Sequence, residues 1–586
     1  MPRKAKGEIK VSVIRSKRKN GDIYLLERKK KYDPNLGYTV TLEEKLIGKI
    51  VNGTDEVVST RPKRASSRSA KPPIPKQDVS AYRIHIGMID IVSFISDKSG
   101  VTKEMVSACG SDVGTAQKAL TLAWYSFASD GDTWPGIKNW SIKYAGRLPY
   151  KDTAISEDIY HDLFSYLGQH EEIKQAVFHS RAKSYGNNEV IALDSSTFEA
   201  QGTGLKSGRK SIHKDKLIKN VYKVVTLYSM SSRAPIAFAK IPGNIPDSMT
   251  VPNALKLLSS LHMDKAEVVT DNGYYSEDNI LEMIRQGFAF VTRISASSAW
   301  ISPLVSQYQE ELEHGGAIMH CDPKFSGVGI TMMHDFKYIR KHGSSKKELS
   351  AGDVEILSRR VHVFIYYSSL KKADEDIRFR EQFSAVKTDI LNGAYLTDDD
   401  RKFAEKYMAI RKWGDRIIEV NANKKAYQKR MKYHGYLVLL ANKEKDAESA
   451  LLKYRRREFI EEDIKNYKSH TGGRHPRVWD DDVLDGQLLV QFMALSLHES
   501  FESMLRYQKK TLAILTGDKE HDDQENLKKE KNLLNWLRKN SMYDVLQWFD
   551  AIEKTTVTED GKTSAWTTEL TCRDQMFLEK LGIKLV

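Results

Sequence analysis

Val190-Ile191-Ala192-Leu193-Asp194-Ser195-Ser196-Thr197 decides the fold, because here the apolar period of the chain changes from helical to strand-like. Four apolar residues in a row read as a strand covered on both faces. Short β-branched or aromatic runs follow at 222–228, 235–240, 266–270 and 288–294, with helical patterns at 249–261 and 277–285 among them. Three successive strands, then helix, strand, helix, strand, predict an α/β fold on a mixed sheet.

Downstream, residues 298–440 break the alternation and predict a mixed α/β insertion domain. It holds a strand-like run at 361–367, charged helices near 371–386 and 398–412, and strands near 416–420 and 436–440. The pattern resumes at 441–512 with a charged helix and the apolar helix 484–497; residues 513–586 read as charged and helical to the end. Upstream, residues 76–186 read as helices at 85–95, 115–128 and 156–167, with Thr115 and Ser156 as N-caps, a domain for DNA binding or dimerisation. The first 75 residues read as a small basic β-hairpin unit and a tether. Its strands are expected at 23–26, 38–42 and 46–51, and the tether spans 61–75.

The 586 residues are 40% hydrophobic, enough for several domains of a soluble, globular protein. No apolar run approaches the ~20 residues of a membrane helix, and Met1–Lys6 lacks the apolar stretch of a signal peptide. Cys109, Cys321 and Cys572 stand far apart, which argues against a disulfide framework or a zinc finger and for a reducing cytoplasm. Of the net charge of +14, residues 1–70 contribute +10, from 18 Lys/Arg against 8 Asp/Glu. So uneven a charge predicts a nucleic-acid-binding end.

The chemistry is expected in Tyr454-Arg455-Arg456-Arg457-Glu458-Phe459-Ile460-Glu461-Glu462-Asp463-Ile464-Lys465-Asn466-Tyr467-Lys468. At about 100° per residue, Tyr454, Arg457, Glu461 and Lys468 fall at roughly 0°, 300°, 340° and 320° of a helical wheel. A carboxylate, two cations and a phenol share one stripe. On an exposed helix such pairs are decoration worth about 0.3 kcal/mol; two upstream acids give this stripe its meaning. Asp194 closes the first strand of the α/β segment, and Asp271 follows another in Val268-Val269-Thr270-Asp271-Asn272-Gly273-Tyr274. Carboxylates at strand ends beside Ser or Gly can converge where the backbone leaves room for a phosphodiester. Cutting that bond calls for two hard cations about 3.5–4 Å apart, and Mg²⁺ (or Mn²⁺) takes oxygen ligands from a few carboxylates. Both acids also have structural readings, Asp271-Asn272-Gly273 as a turn and Asp194 as a turn cap. Glu458, at roughly 40° on the same wheel, is not separated from Glu461 by physics. Asp398–Asp400 and Asp480–Asp482 read as solvated loops or helix starts.

The spacing Tyr454-x2-Arg457-x3-Glu461-x6-Lys468 resembles the Y-R-E-K signature of bacterial insertion-sequence transposases of the DDE type, in the insertion sequence 4 group. Leu193–Thr197, Pro242-Gly243-Asn244 with Asp247 and Thr250, and Asp271–Ser276 are similar to that group, as are Gly435–Asn442, Arg474–Val478 and Leu46–Ile50. The resemblance implies a ribonuclease-H-like catalytic domain, split between 187–297 and 441–512, with Asp194, Asp271 and Glu461 as catalytic metal ligands for two ions. The choice of Glu461 rests on the family spacing alone. A gap of 190 residues between Asp271 and Glu461 fits the longer, insertion-bearing branch. Tyr454, Arg457 and Lys468 would hold phosphates of the element end; Lys465, Arg474 and the tether's Arg61, Lys63 and Arg64 are further expected DNA contacts. Relatives with insertions can extrude a base onto an aromatic; Trp300, Trp413 and Tyr433 are candidates, though each reads first as a packing residue.

The implied activity is transposition: hydrolysis at each element end releases a 3′-OH, which then attacks target DNA. The implied partners are double-stranded DNA, both transposon ends and target, and a second copy of the chain, with no membrane. The implied setting is a bacterial cytoplasm, at the nucleoid. A non-transposing nuclease of the same fold and a domesticated DNA-binding protein are the alternatives. A tyrosine recombinase lacks its Arg/His-x-x-Arg surround.

Overall fold

The computed structural model describes residues 9–585 except 18–21, 34–35, 51–56, 59–78, 130–132, 152–153, 201–203, 213–217, 340–349, 351, 414–415, 471–477, 479, 518–523 and 560. Of residues 57–58, 212, 339, 413, 416 and 459–470 it describes the backbone alone. Two compact units result: Met1–Ser80 with Thr558–Lys562, and Ala81–Val557 with Thr563–Val586.

The first unit is an antiparallel sheet of β1 (Lys10–Lys17), β2 (Ile23–Tyr32), β3 (Thr39–Ile50) and β4 (Val57–Val58), in that order. The sequence suggested two strands where β3 is one, and did not show β1. Irregularities in β2–β3 pairing, between Leu25 and Leu26 and between Lys29 and Lys30, explain the misreading, because each shifts the alternation of faces. Cross-strand pairs Arg28–Glu44 (2.6 Å) and Lys29–Glu43 (2.8 Å) offset part of the basic charge.

The second unit starts at Ala81, within β5 (Val79–His85), and continues with six helices: α1 (Gly87–Lys98), α2 (Val101–Cys109), α3 (Val113–Ala128), α4 (Ile137–Lys143), α5 (Glu157–Gln169) and α6 (Glu171–Tyr185). α3 begins two residues before the expected Thr115: Asp112 is its N-cap, accepting from the Thr115 amide at 3.0 Å. Ser156 does precede α5, without a side-chain cap bond.

Next come β6 (Val190–Glu199), β7 (Arg209–Ile212), β8 (Ile218–Ser229), β9 (Pro235–Pro242), α7 (Val251–Ser260), β10 (Glu267–Thr270), α8 (Glu277–Arg285) and β11 (Ala289–Ile294). α7 buries Val251, Ala254, Leu255 and Leu258, one helical stripe; α8 starts on Ser276, whose side chain accepts from the Asn279 amide. Then follow α9 (Ser302–Gln307), α10 (Gln309–Glu313), β12 (Ser326–Ile339), β13 (Val354–Tyr367), α11 (Ser369–Leu391), α12 (Asp398–Tyr407), β14 (Met408–Trp413), β15 (Arg416–Ala422), α13 (Lys424–Met431), β16 (Tyr436–Ala441), α14 (Ala447–His470) and α15 (Asp481–Gly517).

Among the described residues one mixed sheet of nine strands organises this unit, in the order β12-β13-β16-β11-β10-β6-β8-β7, with β9 also on β8. β6, β10 and β11 run parallel; β8 is antiparallel to β6 and β9 to β8. One face, with Ala192, Val269, Val291 and Leu439, packs on Leu451 and Tyr454 of α14 and Leu495 of α15. On the other face, Val225 and Leu227 line a small cavity with Ala254 and Leu257 of α7.

The expected insertion at 298–440 is corrected in its extent. β12 and β13 lengthen the main sheet, because β13 and β11 both pair with β16. Between β13 and β16, helices α11–α13 and the β14–β15 hairpin hold a separate small core of Val386, Ile390, Ala404, Met408 and Val420. α15 is buried on all sides through its first half and runs past the expected boundary at 512. It crosses α5 at two glycines: a Cβ on Gly168 would meet the Asp482 carbonyl oxygen at 1.8 Å, and one on Gly486 the Phe164 oxygen at 2.0 Å.

The C-terminal region holds α16 (Gln524–Lys539), α17 (Met542–Asp550), β17 (Glu553–Glu559), β18 (Lys562–Thr567) and α18 (Cys572–Leu581). The expectation of helix throughout is corrected by the β17–β18 hairpin, which joins β5 in a three-stranded sheet. The β-branched run Thr555-Thr556-Val557-Thr558 favours a strand, and Gly561 at φ 78° suits a tight turn. Among the described residues no helix is long and apolar enough to cross a membrane.

Candidate active site

Asp194 lies inside β6, opposite Thr226 of β8, and Asp271 immediately follows β10. β6 and β10 pair in parallel with Val268 beside Ile191 and Val269 beside Ala192, an offset of 77 (269 − 192). Carried two residues further, that register sets Asp271 beside Asp194, on strands about 4.8 Å apart. Both then share the face of Ala192 and Val269 that α14 covers, since side chains two residues apart point the same way. On β11, Val291 pairs with Val269, so Arg293 joins the same row, and its Nη1 reaches Asp271 Oδ1 at 3.5 Å.

α14 approaches this row with the residues of the expected stripe. The Tyr454 hydroxyl donates to Asp271 Oδ1 at 2.8 Å, and Arg457 Nη2 lies 3.9 Å from Asp271 Oδ2. The Arg457 guanidinium also sits 5.3 Å from the Tyr454 ring centre. Both side chains are buried, Tyr454 at 2% and Arg457 at 3% exposure. They were expected on phosphates; in this structure they face Asp271, because their part of α14 packs directly on the sheet.

Burial by itself would raise the Asp271 carboxyl. Arg457, the Asn272 amide, Arg293 and the Tyr454 hydroxyl outweigh it and hold the group below the usual carboxylate range. Burial first, and then Asp271, push the Tyr454 phenol up to about 12, which keeps it a proton donor at neutral pH.

The turn carrying Asp271 is fixed from the side. Asn279 of α8 is buried, and its amide donates to the Ser248 oxygen at 2.7 Å and the Tyr274 oxygen at 2.8 Å. It thereby ties the Asp271 turn to the 3-10 turn Asp247–Thr250. Tyr274 is buried there; burial, then the charges of Asp194 and Asp247, hold its phenol far above its ordinary range. Asp247 itself is paired with Lys223 of β8 at 2.8 Å.

The backbone of α14 carries Glu461 one turn beyond Arg457, about 6 Å along the axis; its side chain, with those of Lys465 and Lys468, lies outside the described residues. Arg474, Arg61, Lys63 and Arg64 also lie outside them. Glu458 is described and exposed. Its alternative role is weakened by Arg455, which lies 3.9 Å away and also pairs with Asp322. Trp300 stacks on His334 with ring centres 3.9 Å apart and donates to the Tyr275 hydroxyl at 3.3 Å, so it packs as its first reading had it. Trp413 is described by its backbone only. Asp398–Asp400 form the first turn of α12. Asp481 departs from the solvated reading: it takes the Lys206 amide at 2.6 Å, Ser207 at 2.7 Å and Lys240 at 2.8 Å.

Arg293, Asn279 and Lys223 were not singled out from the sequence. The one signal was a cation two residues after Val291 in an otherwise apolar strand. Among the described residues no group of three His, Cys, Asp or Glu is arranged to hold a metal. Asp194, expected to close its strand, is corrected to a position inside β6, which runs on to Glu199; it and Asp271 are nevertheless hard oxygen donors of the kind Mg²⁺ takes.

A domain described as Transposase DDE domain matches residues 185–497, just over half of the chain, and that span runs from the last residue of α6 into α15, enclosing the whole site. No curated protein matches the chain. A cryo-EM structure of piggyBac transposase, a synaptic complex with hairpin DNA, is similar over 79% of this chain and 81% of that one, at 10% identity and a TM-score of 0.33. With the family's own domain spanning Asp194, Asp271 and the helix that meets Asp271, this chain belongs to the transposases of the DDE domain family.

Proposed function

We propose that this transposase cuts the ends of a mobile DNA element by metal-dependent hydrolysis and joins the freed 3′-OH to target DNA, with Asp194, Asp271 and Glu461 as metal ligands. The observation that supports it most is the register of β6 on β10, which, extended two residues beyond its last pair, aligns Asp271 with Asp194, and Asp271 takes the Tyr454 hydroxyl of α14. Divalent ions bound there would activate water and stabilise the leaving oxygen. Tyr454, Arg457 and Arg293 keep Asp271 ionised and oriented; Lys465, Lys468 and Arg474 contact the DNA backbone.

The core is ribonuclease-H-like in this reading. Support comes from the order β9-β8-β6-β10-β11, antiparallel through its first three strands and parallel through its last three. The segment between β13 and β16 is the insertion, and the chain is a long member of the insertion sequence 4 group, with Tyr454, Arg457, Glu461 and Lys468 as its Y-R-E-K set. The basic first unit and its tether, with Arg61, Lys63 and Arg64, bind the terminal inverted repeats, and two copies act together on two ends inside a bacterial cell.

Asp194→Ala, Asp271→Ala and Glu461→Ala each abolish cleavage of supercoiled donor while end binding persists. An Asp194→Ala protein that still cuts overturns the assignment. Joining of precleaved end DNA by the wild type separates this reading from a plain nuclease, which cuts without joining.

A further inference from the structure

A polar cleft of about 210 Å³ opens beside the carboxylates. Its wall includes Asn272, the residue after Asp271, and Arg293, and also Glu375 of α11, Arg430 of α13, and Tyr433 and His434 just before β16. The cleft therefore joins the catalytic row to the segment between β13 and β16.

The acids here are already satisfied within the protein. Glu375 takes the Lys371 ammonium on one oxygen and the Gly435 amide, at 2.8 Å, on the other. Asp376 holds His434 Nδ1 at 2.7 Å. The cations are not satisfied to the same degree. Arg430 is exposed, and its guanidinium has no hydrogen bond or ion pair among the described residues. Arg293 reaches Asp271 at 3.5 Å and lies beside the Tyr454 hydroxyl and the Glu375 charge, which leaves part of its five-donor fork for a ligand. Two such forks on one small cleft suit the oxygens of a phosphate.

We propose that this cleft is a phosphodiester subsite, in which Arg430 and Arg293 grip a backbone phosphate of the DNA strand next to the one being cut. The proposal rests on the reading of the carboxylate row as a DNA-cutting centre. It adds that the segment between β13 and β16 contributes a substrate contact through Arg430.

The test uses the full chain and a duplex bearing the inverted repeat found beside its gene. Binding is titrated against salt, and cleavage is followed kinetically, for the wild type, Arg430→Ala and Arg430→Lys. Loss of one phosphate contact makes the slope of log K against log salt about 0.9 shallower. Arg430→Ala is expected to show that change and a raised KM with kcat retained, and Arg430→Lys to keep the wild-type slope. An Arg430→Ala protein with wild-type slope and KM overturns the subsite. A wild type that binds the duplex but never cuts it overturns the catalytic reading instead, and the slopes then decide the cleft alone.

Discussion

Tyr454 shows how one hydroxyl can help set the state of a carboxylate. Its bond to Asp271 is half-buried and directed at a charge, a class worth about 1.5 kcal/mol. Tyr454→Phe is expected to slow single-turnover cleavage by tenfold or more while leaving the fold intact by circular dichroism. The pH dependence follows from the direction of the Asp271 shift. Its folded pKa lies below the unfolded one, so its stabilising contribution is present above the ordinary carboxylate range and is lost as pH falls through the lowered value. Removing the phenol moves that loss to higher pH, which urea midpoints across the acid range will register. At this scale the sequence was partly legible. Asp194 and Asp271 could be picked out as strand-end acids, but each had an equally good turn reading, and only the β6–β10 pairing, a contact 77 residues apart, argues between them. Arg293 escaped because its role depends on a neighbouring strand.

Among elements, the α5–α15 crossing gives the sharpest expectation. Gly486 packs its Cα against the backbone of Phe164, where no flexible side chain can yield. Gly486→Ala is expected to cost about 3 kcal/mol and to lower the urea midpoint, whereas Gly146→Ala, at φ 81° with nothing near its missing Cβ, reports backbone strain alone. Elements with a single clear period, such as α7 or β8, were legible. Those that were not, β1 and the β17–β18 hairpin, are rich in charge or threonine, and none of their apolar residues is fully buried, so no apolar face marks them.

For the whole second unit, the buried Arg181 is the main fastening between helices and sheet. It bonds Glu104 of α2, Ser496 of α15 and the Pro235 carbonyl of β9. Arg181→Met strands Glu104, 7% exposed, without its cation and is expected to destabilise the unit by about 3–5 kcal/mol in urea unfolding. Asp481 offers a second, pH-dependent fastening. Burial opposes its ionisation, but Lys240, Ser207 and the Lys206 amide lower it to about 2. Stability from this group is therefore complete above its ordinary value of 3.8 and disappears as pH falls toward about 2, a decline that Asp481→Asn should remove from the acid side of a stability profile. Neither fastening was readable beforehand, since both join residues far apart in the chain.

Because strand pairing alone aligns the two aspartates, the polypeptide between them is free of any duty to measure their separation. Loop closure grows costlier only slowly with length, so a foreign peptide spliced into the bend between α7 and β10, at Asp264, ought to leave the pair undisturbed. A single residue added inside β10 would instead turn Asp271 to the opposite side of the ribbon while Asp194 stayed where it is, and the two would no longer meet.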